Sequence, residues 1–183
     1  MKIVLGIAGE IAAGKGTVAG YIVEKKGGSS HRFSTMLRDV ARRVYLEENR
    51  ENLQKISTML REYFGSSVLS KTIYHDVEND EHEIIVIDGV RRIEDTEFLR
   101  TLPGFKLVYI DAEMEKRFER ITKRGENVDD NSKTFDEFKK DHEREAESEI
   151  RKLKDRADAI IDNNGDFESL YGQIDRLIDN LKN

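Results

Sequence analysis

Residues Gly9 to Thr17 read Gly-Glu-Ile-Ala-Ala-Gly-Lys-Gly-Thr, and the apolar run Ile3-Val4-Leu5-Gly6-Ile7-Ala8 leads straight into them. An amphipathic segment follows from Val18. A strand that turns through glycines into a helix leaves the chain few options. Backbone N–H groups from Gly9 to Lys15 can converge on one concavity, the helix brings its positive end there, and Lys15 adds a mobile full charge. Such a concavity suits the β- and γ-phosphates of a nucleoside triphosphate. The spacing G-x-x-x-x-G-K is met by Gly9, Gly14 and Lys15, with Ala12 and Ala13 inside the turn. Gly16 stands where most such loops place Ser or Thr, so the hydroxyl arrives one residue later, at Thr17. A glycine-rich turn without a ligand is the alternative; the strand before it and Lys15 within it argue against that.

Composition limits what can be built around this loop. A chain of 183 residues makes about one domain and can bury a core without staples. No apolar run approaches the roughly 20 residues that cross a bilayer, and the chain enters its first strand without a leader pattern, which places it in the cytoplasm, away from membranes. Cysteine is absent, and the four histidines (His31, His75, His82, His142) are scattered, so any metal is expected to arrive with the nucleotide. A net charge of −6 argues against nucleic acid as a partner.

Apolar strands alternate with helical patterns along the chain. Ile84-Ile85-Val86-Ile87-Asp88, Leu107-Val108-Tyr109-Ile110-Asp111 and Ala159-Ile160-Ile161-Asp162 are short runs ending in an acid, as strands buried on both faces do. His31-Arg32-Phe33 is a weaker strand candidate, after the turn at Gly27 to Ser30. Leu53, Ile56, Leu60, Tyr63 and Phe64 recur at helical steps, as do Phe167, Leu170, Ile174, Leu177, Ile178 and Leu181, and both sets read as core-facing stripes. The pattern predicts an α/β three-layer sandwich with a parallel sheet of about five strands. Ligands in such sheets sit outside the carboxyl ends of the strands.

Asp88 is delivered to one such end and is followed by Gly89-Val90-Arg91-Arg92. A carboxylate there can order the water shell of a Mg²⁺ that bridges phosphates, while Arg91 and Arg92 can reach phosphoryl oxygens with a planar fork. Otherwise Asp88 caps a helix, and an arginine pairs with Glu94 or Asp95 at the surface.

Taken together, these residues resemble the nucleoside monophosphate kinase family, the adenylate-kinase-like branch of P-loop kinases, including its adenylate-kinase-related, deoxynucleoside-monophosphate-kinase-like and dephospho-CoA-kinase-like members. Gly14-Lys15-Gly16-Thr17 is similar to the family's G-K-G-T. Asp88-Gly89-Val90-Arg91-Arg92 is similar to its D-G-F-P-R, with Arg91 in the proline's place. Phe33-Ser34-Thr35-Met36-Leu37-Arg38 resembles the segment that opens the monophosphate-binding helices, although it is shorter. Arg120-Ile121-Thr122-Lys123-Arg124 matches the R-I-x-x-R pair that flanks the lid. Ala157 to Gly165 resembles the last strand and turn of dephospho-CoA-kinase-like proteins, near the adenine.

The resemblance implies a single P-loop kinase domain over 1–183, with a monophosphate-binding helical insertion at 34–80 and a short lid at 125–145. It implies transfer of the γ-phosphoryl group of ATP, with Mg²⁺, to a nucleoside or deoxynucleoside monophosphate. The donor would lie on Gly9, Ala12, Ala13, Gly14, Lys15, Gly16 and Thr17, with Arg120 and Asn163 beside it; Thr17 and Asp88 would serve the metal, directly or through water. Ser34, Thr35, Arg38, Arg91 and Arg92 would hold the acceptor. Lys15, Asp88, Arg92, Arg120 and Arg124 would stabilise the transferring group, with Arg120 and Arg124 four residues apart on one helical face. The lid departs from the family pattern: Asn127 replaces an arginine and the later one falls near Phe138, leaving Lys133, Lys139 or Lys140 as weaker substitutes. Two other readings remain open. One is a dephospho-CoA-kinase-like enzyme; the other is an ATP-binding switch with little transfer.

Overall fold

The computed structural model describes residues 2–124, 134–143 and 145–182, leaving out the side chains of residues 124, 141 and 145–147. Its centre is β1 (Ile3–Ala8), buried along its whole length between β3 (Ile84–Asp88) and β4 (Phe105–Asp111). β2 (Ser29–Arg32) and β5 (Ala159–Asp162) close the edges, giving one sheet in the order β2-β3-β1-β4-β5 with every pairing parallel. Parallel neighbours require crossovers, and the helical stretches between the strands supply them.

Alternation within each strand divides the core in two. Val4, Ala8, Ile85, Ile87, Leu107 and Tyr109 face α2 (Phe33–Arg43), α3 (Arg50–Phe64), α4 (Val68–Glu78) and α7 (Glu145–Lys152). Ile3, Leu5, Ile7, Ile84, Val86, Val108 and Ile110 face α1 (Lys15–Lys26) and α8 (Phe167–Lys182). The expected three-layer sandwich is thus present. A fully buried Ile or Val is worth about 1.5–3 kcal/mol relative to exposure. Slipping a central strand by one residue would exchange two such faces, so the register is strongly determined. α5 (Met114–Arg124) follows β4, and α6 (Phe135–His142) precedes α7.

Several local readings change. The second strand starts and stops earlier than expected, and Phe33 already begins α2. On α3 only Ile56 is fully buried, with Leu53 and Leu60 partly covered, whereas Tyr63 and Phe64 are 79% and 70% exposed. α3 packs mainly on α2 and α4, so it lacks a sheet to cover the rest of its apolar stripe. Phe167 lies exposed at the start of α8, stacked on Tyr171. Ile160 is half exposed because β5 is an edge strand rather than one covered on both faces. Among the described residues, no helix is long and apolar enough to cross a membrane.

Candidate functional site

The loop between β1 and α1 has the backbone that its glycines allow. Gly9 and Gly14 take φ of 150° and 103°; a Cβ on Gly9 would lie 2.7 Å from the Ile110 carbonyl oxygen, and one on Gly14 would run into the Asn163 amide. Ala12 also adopts a left-handed conformation, at φ 60°, which costs a residue bearing a Cβ about 1–2 kcal/mol. The Ala13 N–H donates back to the Glu10 carbonyl at 3.1 Å and tightens the turn. α1 then starts at Lys15 with no side-chain cap and no acid in its first turn, so its positive end is not neutralised by its own residues. Lys15 folds over the loop, its Nζ donating to the carbonyls of Gly9 at 2.7 Å and Glu10 at 2.9 Å. Gly16 is exposed and Thr17 half-buried beside it on the first turn.

Asp88 ends β3 in register with Ile7 of β1 on one side and Arg32 of β2 on the other, and is 8% exposed. Its Oδ2 accepts an ion pair from Arg32 Nη2 at 2.8 Å. Asp88 therefore caps no helix. Beyond it, Gly89 turns the chain at φ 89°. Asp95 does engage Arg91 and Arg92, but through their main chain: its Oδ2 accepts both N–H groups at 3.0 Å. The two guanidinium groups are exposed and have no carboxylate partner among the described residues.

The acceptor-side candidates lie at the start of α2 and one turn along it. Arg32, not Ser34 or Thr35, is the last strand residue and the N-cap of α2; Ser34 and Thr35 lie in the first turn and neither caps it. Arg38 leans toward Glu48 at 3.7 Å, a carboxylate that Arg42 holds more closely at 2.6 Å.

On the other flank, Arg120 donates through Nη2 to the Asn163 carbonyl at 2.8 Å rather than pairing with Glu115 or Glu119, and Glu119 is taken by Lys123. Its Nη1 is buried without a hydrogen-bond partner among the described residues. Asn163, 6% exposed, spends its side-chain amide on the Ala13 carbonyl at 2.7 Å, and its N–H reaches the Asp111 carbonyl at 2.8 Å. Asn163 thereby buttresses the loop from β5. The side chain of Arg124 and the lid stretch 125–133, with Asn127 and Lys133, lie outside the described residues. Phe138, near which the family's later lid arginine falls, is fully buried, and Lys139 and Lys140 are exposed beside it.

A charged cluster that the sequence did not suggest holds the loop from a third direction. Glu10, 9% exposed, receives Arg117 Nη2 at 3.2 Å, His142 Nδ1 at 2.9 Å and Arg151 Nη1 at 3.4 Å. Arg117 is 2% exposed; it also donates to the Ala112 carbonyl at 3.0 Å and stacks over Phe138. Its place one turn before Arg120 on α5 was the only signal, and a surface arginine would have looked the same. Arg32, which meets Asp88, carries the same signature of a surface arginine.

Mg²⁺ favours oxygen ligands and keeps several waters. The Thr17 hydroxyl and the Asp88 carboxylate supply such oxygens. No group of three or more protein ligands is assembled among them, so these residues suit a cation held mostly by water and phosphate. Arg120 Nη1, buried and unpaired among the described residues, suits an anionic ligand.

A family model described as an AAA domain matches residues 5–152. A UPF0200 protein of Hyperthermus butylicus is 28% identical over 180 residues, covering 98% of this chain and 95% of its own. A UPF0200 protein of Methanosarcina mazei is 30% identical over 137 residues, which are 74% of this chain and 72% of that one. Among solved structures, shikimate kinase from Bacteroides thetaiotaomicron superposes with a TM-score of 0.64 over 99% of both chains at 15% identity. That likeness is one of fold, an α/β fold shared with P-loop kinases.

Proposed function

This chain belongs to the AAA domain family and to the UPF0200 proteins, and we propose that it is an ATP-dependent phosphotransferase whose acceptor is a small phosphate-bearing molecule, a nucleoside or deoxynucleoside monophosphate. The observation that carries the reading is the placing of Asp88. It ends the strand between the loop-bearing β1 and the arginine-bearing β2, so a donor cradle and a cationic acceptor side flank one buried carboxylate.

In this reading the loop amides and Lys15 hold the β- and γ-phosphates, and Lys15 exchanges its two carbonyl partners for phosphate oxygens. Thr17 and Asp88 offer their oxygens to Mg²⁺, which when bound with ATP neutralises charge on the phosphates. Arg120 presents its unpaired Nη1 to the donor, while Asn163 keeps the loop's main chain in place. On the acceptor side Arg32, with Asp88 orienting one of its nitrogens, joins Arg91 and Arg92 in holding an anionic group, and Arg38 stands further out beside Glu48. A cationic acceptor side within a chain of net charge −6 favours a phosphorylated acceptor over a neutral one. Phosphoryl transfer asks for positioning and charge stabilisation, which these residues provide without a covalent intermediate. The helical stretch α2 to α4 acts as the acceptor arm.

A coupled ADP-release assay over nucleoside and deoxynucleoside monophosphates, dephospho-CoA and shikimate tests the reading. Acceptor-dependent ADP release with a monophosphate is the expected result. Tight Mg²⁺-dependent ATP binding in calorimetry with no acceptor phosphorylated would replace it with a nucleotide-binding switch.

A further inference from the structure

Asp95 is among the least exposed charged residues of the chain at 2%, and all of its polar contacts serve one junction. Oδ2 accepts the adjacent N–H groups of Arg91 and Arg92, each at 3.0 Å, and the Asp95 N–H returns a bond to the Arg92 carbonyl at 3.2 Å. Oδ1 faces the other way and accepts Arg61 Nη2 at 2.6 Å. Arg61 lies near the C-terminal end of α3, its side chain 13% exposed, and its Nη1 donates to the Ser66 carbonyl in the turn between α3 and α4 at 2.6 Å. A second tie runs parallel: the fully buried Ser70 of α4 accepts the Phe98 N–H at 3.2 Å. One carboxylate thus joins the segment after β3 to the helices between β2 and β3.

Two neighbouring N–H groups on one carboxylate oxygen set the orientation of two successive peptide planes, and with them the directions in which the Cβ atoms of Arg91 and Arg92 leave the chain. Those side chains are exposed and have no carboxylate of their own among the described residues. Their aim therefore depends on the main chain beneath them. A guanidinium fork held simultaneously by Asp95 and by a carbonyl of the α3–α4 turn transmits any displacement of that turn to the same peptide planes.

We propose that Asp95 and Arg61 form a positioning pair that aims Arg91 and Arg92 at the acceptor and ties that aim to the placement of the α3–α4 arm. The proposal rests on the phosphotransfer reading above, because it needs an acceptor for the arginines to meet. It assigns no contact with substrate to either Asp95 or Arg61. The pair acts on acceptor recognition, since among the described residues its hydrogen bonds include those to Ser66, Arg91 and Arg92 and none on the donor side.

The test uses the full chain, first as wild type against a panel of nucleoside and deoxynucleoside monophosphates to find the best acceptor, then as Asp95→Asn, Arg61→Gln and Arg61→Lys. Asn keeps an oxygen for the two N–H groups but loses the charge that draws Arg61; Gln removes the fork; Lys keeps the charge without the fork. The expected result is an acceptor KM raised about tenfold or more in Arg61→Gln and Asp95→Asn, with partial recovery in Arg61→Lys. Binding of a fluorescent ATP analogue stays at the wild-type value. Amide exchange at Arg91 and Arg92, measured by NMR, is protected in the wild type and faster in Arg61→Gln. Should Asp95→Asn fail to fold, the two Arg61 variants decide the matter. An unchanged acceptor KM in folded variants overturns the coupling while leaving phosphotransfer intact, and so does a parallel loss of donor and acceptor affinity that merely follows a fall in Tm. A wild type that phosphorylates none of the panel overturns the phosphotransfer reading itself, and this inference with it.

Discussion

Replacing Glu10 by Gln should destabilise the fold through a residue that sits inside the loop between β1 and α1 and turns its carboxylate to three basic side chains. Glu10 is the carboxylate around which Arg117, His142 and Arg151 gather, and Arg117 is 2% exposed. Removing one partner of a buried ion pair costs about 3–5 kcal/mol, because the other charge is left without compensation. Part of that is recovered here: Gln still offers one oxygen, and Arg117 keeps the Ala112 carbonyl at 3.0 Å. A loss of about 2–3 kcal/mol is therefore expected. For a chain of this size each kcal/mol moves Tm by about 2–4 °C, so the shift should lie between about 4 and 12 °C. Thermal unfolding followed by far-UV circular dichroism measures it. The companion variant Arg117→Met replaces the buried cation with an apolar side chain. The double variant Glu10→Gln with Arg117→Met should lose less stability than the two single variants summed, by about 1 kcal/mol or more. A shift below about 1 °C in Glu10→Gln, or strict additivity in the double variant, would refute the claim that this pair is energetically coupled.

Lys15→Ala forfeits two hydrogen bonds to loop carbonyls, so it should stay folded with a stability loss of about 1–2 kcal/mol, while acceptor-dependent ADP release falls by about 100-fold or more. Wild-type turnover in a coupled assay would remove Lys15 from the mechanism. Asp88→Asn should also fold, because its partner Arg32 has a side chain 53% exposed and can rehydrate; it should lose Mg²⁺-dependent nucleotide affinity in calorimetry, and unchanged affinity would contradict the role assigned to it. Asp80, at the far end of the sheet, gives a pH prediction. Burial pushes its pKa up, but hydrogen bonds from the Ser29 hydroxyl, the His82 N–H and ring, and the His31 ring outweigh this and hold it well below the usual carboxylate range. A depressed folded-state value means that its stabilisation is fully present above the ordinary value of 3.8 and is lost as the pH falls below it toward the folded-state value. Asp80→Ala should thus lower Tm at neutral pH by an amount equivalent to about 2–3 kcal/mol, with the gap from wild type closing in acid; a gap independent of pH would exclude the linkage.

The strand–glycine–helix order at Ile3 to Val18 and the acid-ended apolar runs at Ile84 and Leu107 made the parallel sandwich and the glycine turn legible, because each is a local pattern in which the residues that interact lie within a few positions of one another. Asp95 was visible for the same reason as a partner for Arg91 and Arg92, yet its bonds go to their N–H groups, which one-letter patterns do not display. Tyr63 and Phe64 misled because a helical stripe shows that a face is apolar and not whether a sheet lies opposite it. Packing alone decided that Asn163 braces Ala13, that Arg32 faces Asp88, and that Glu10 gathers charges from α5, α6 and α7. Those partners lie far apart along the chain and meet only because parallel strands deliver their carboxyl ends to one edge. An arginine that ends up buried in such a cluster carries the same sequence signature as one in water.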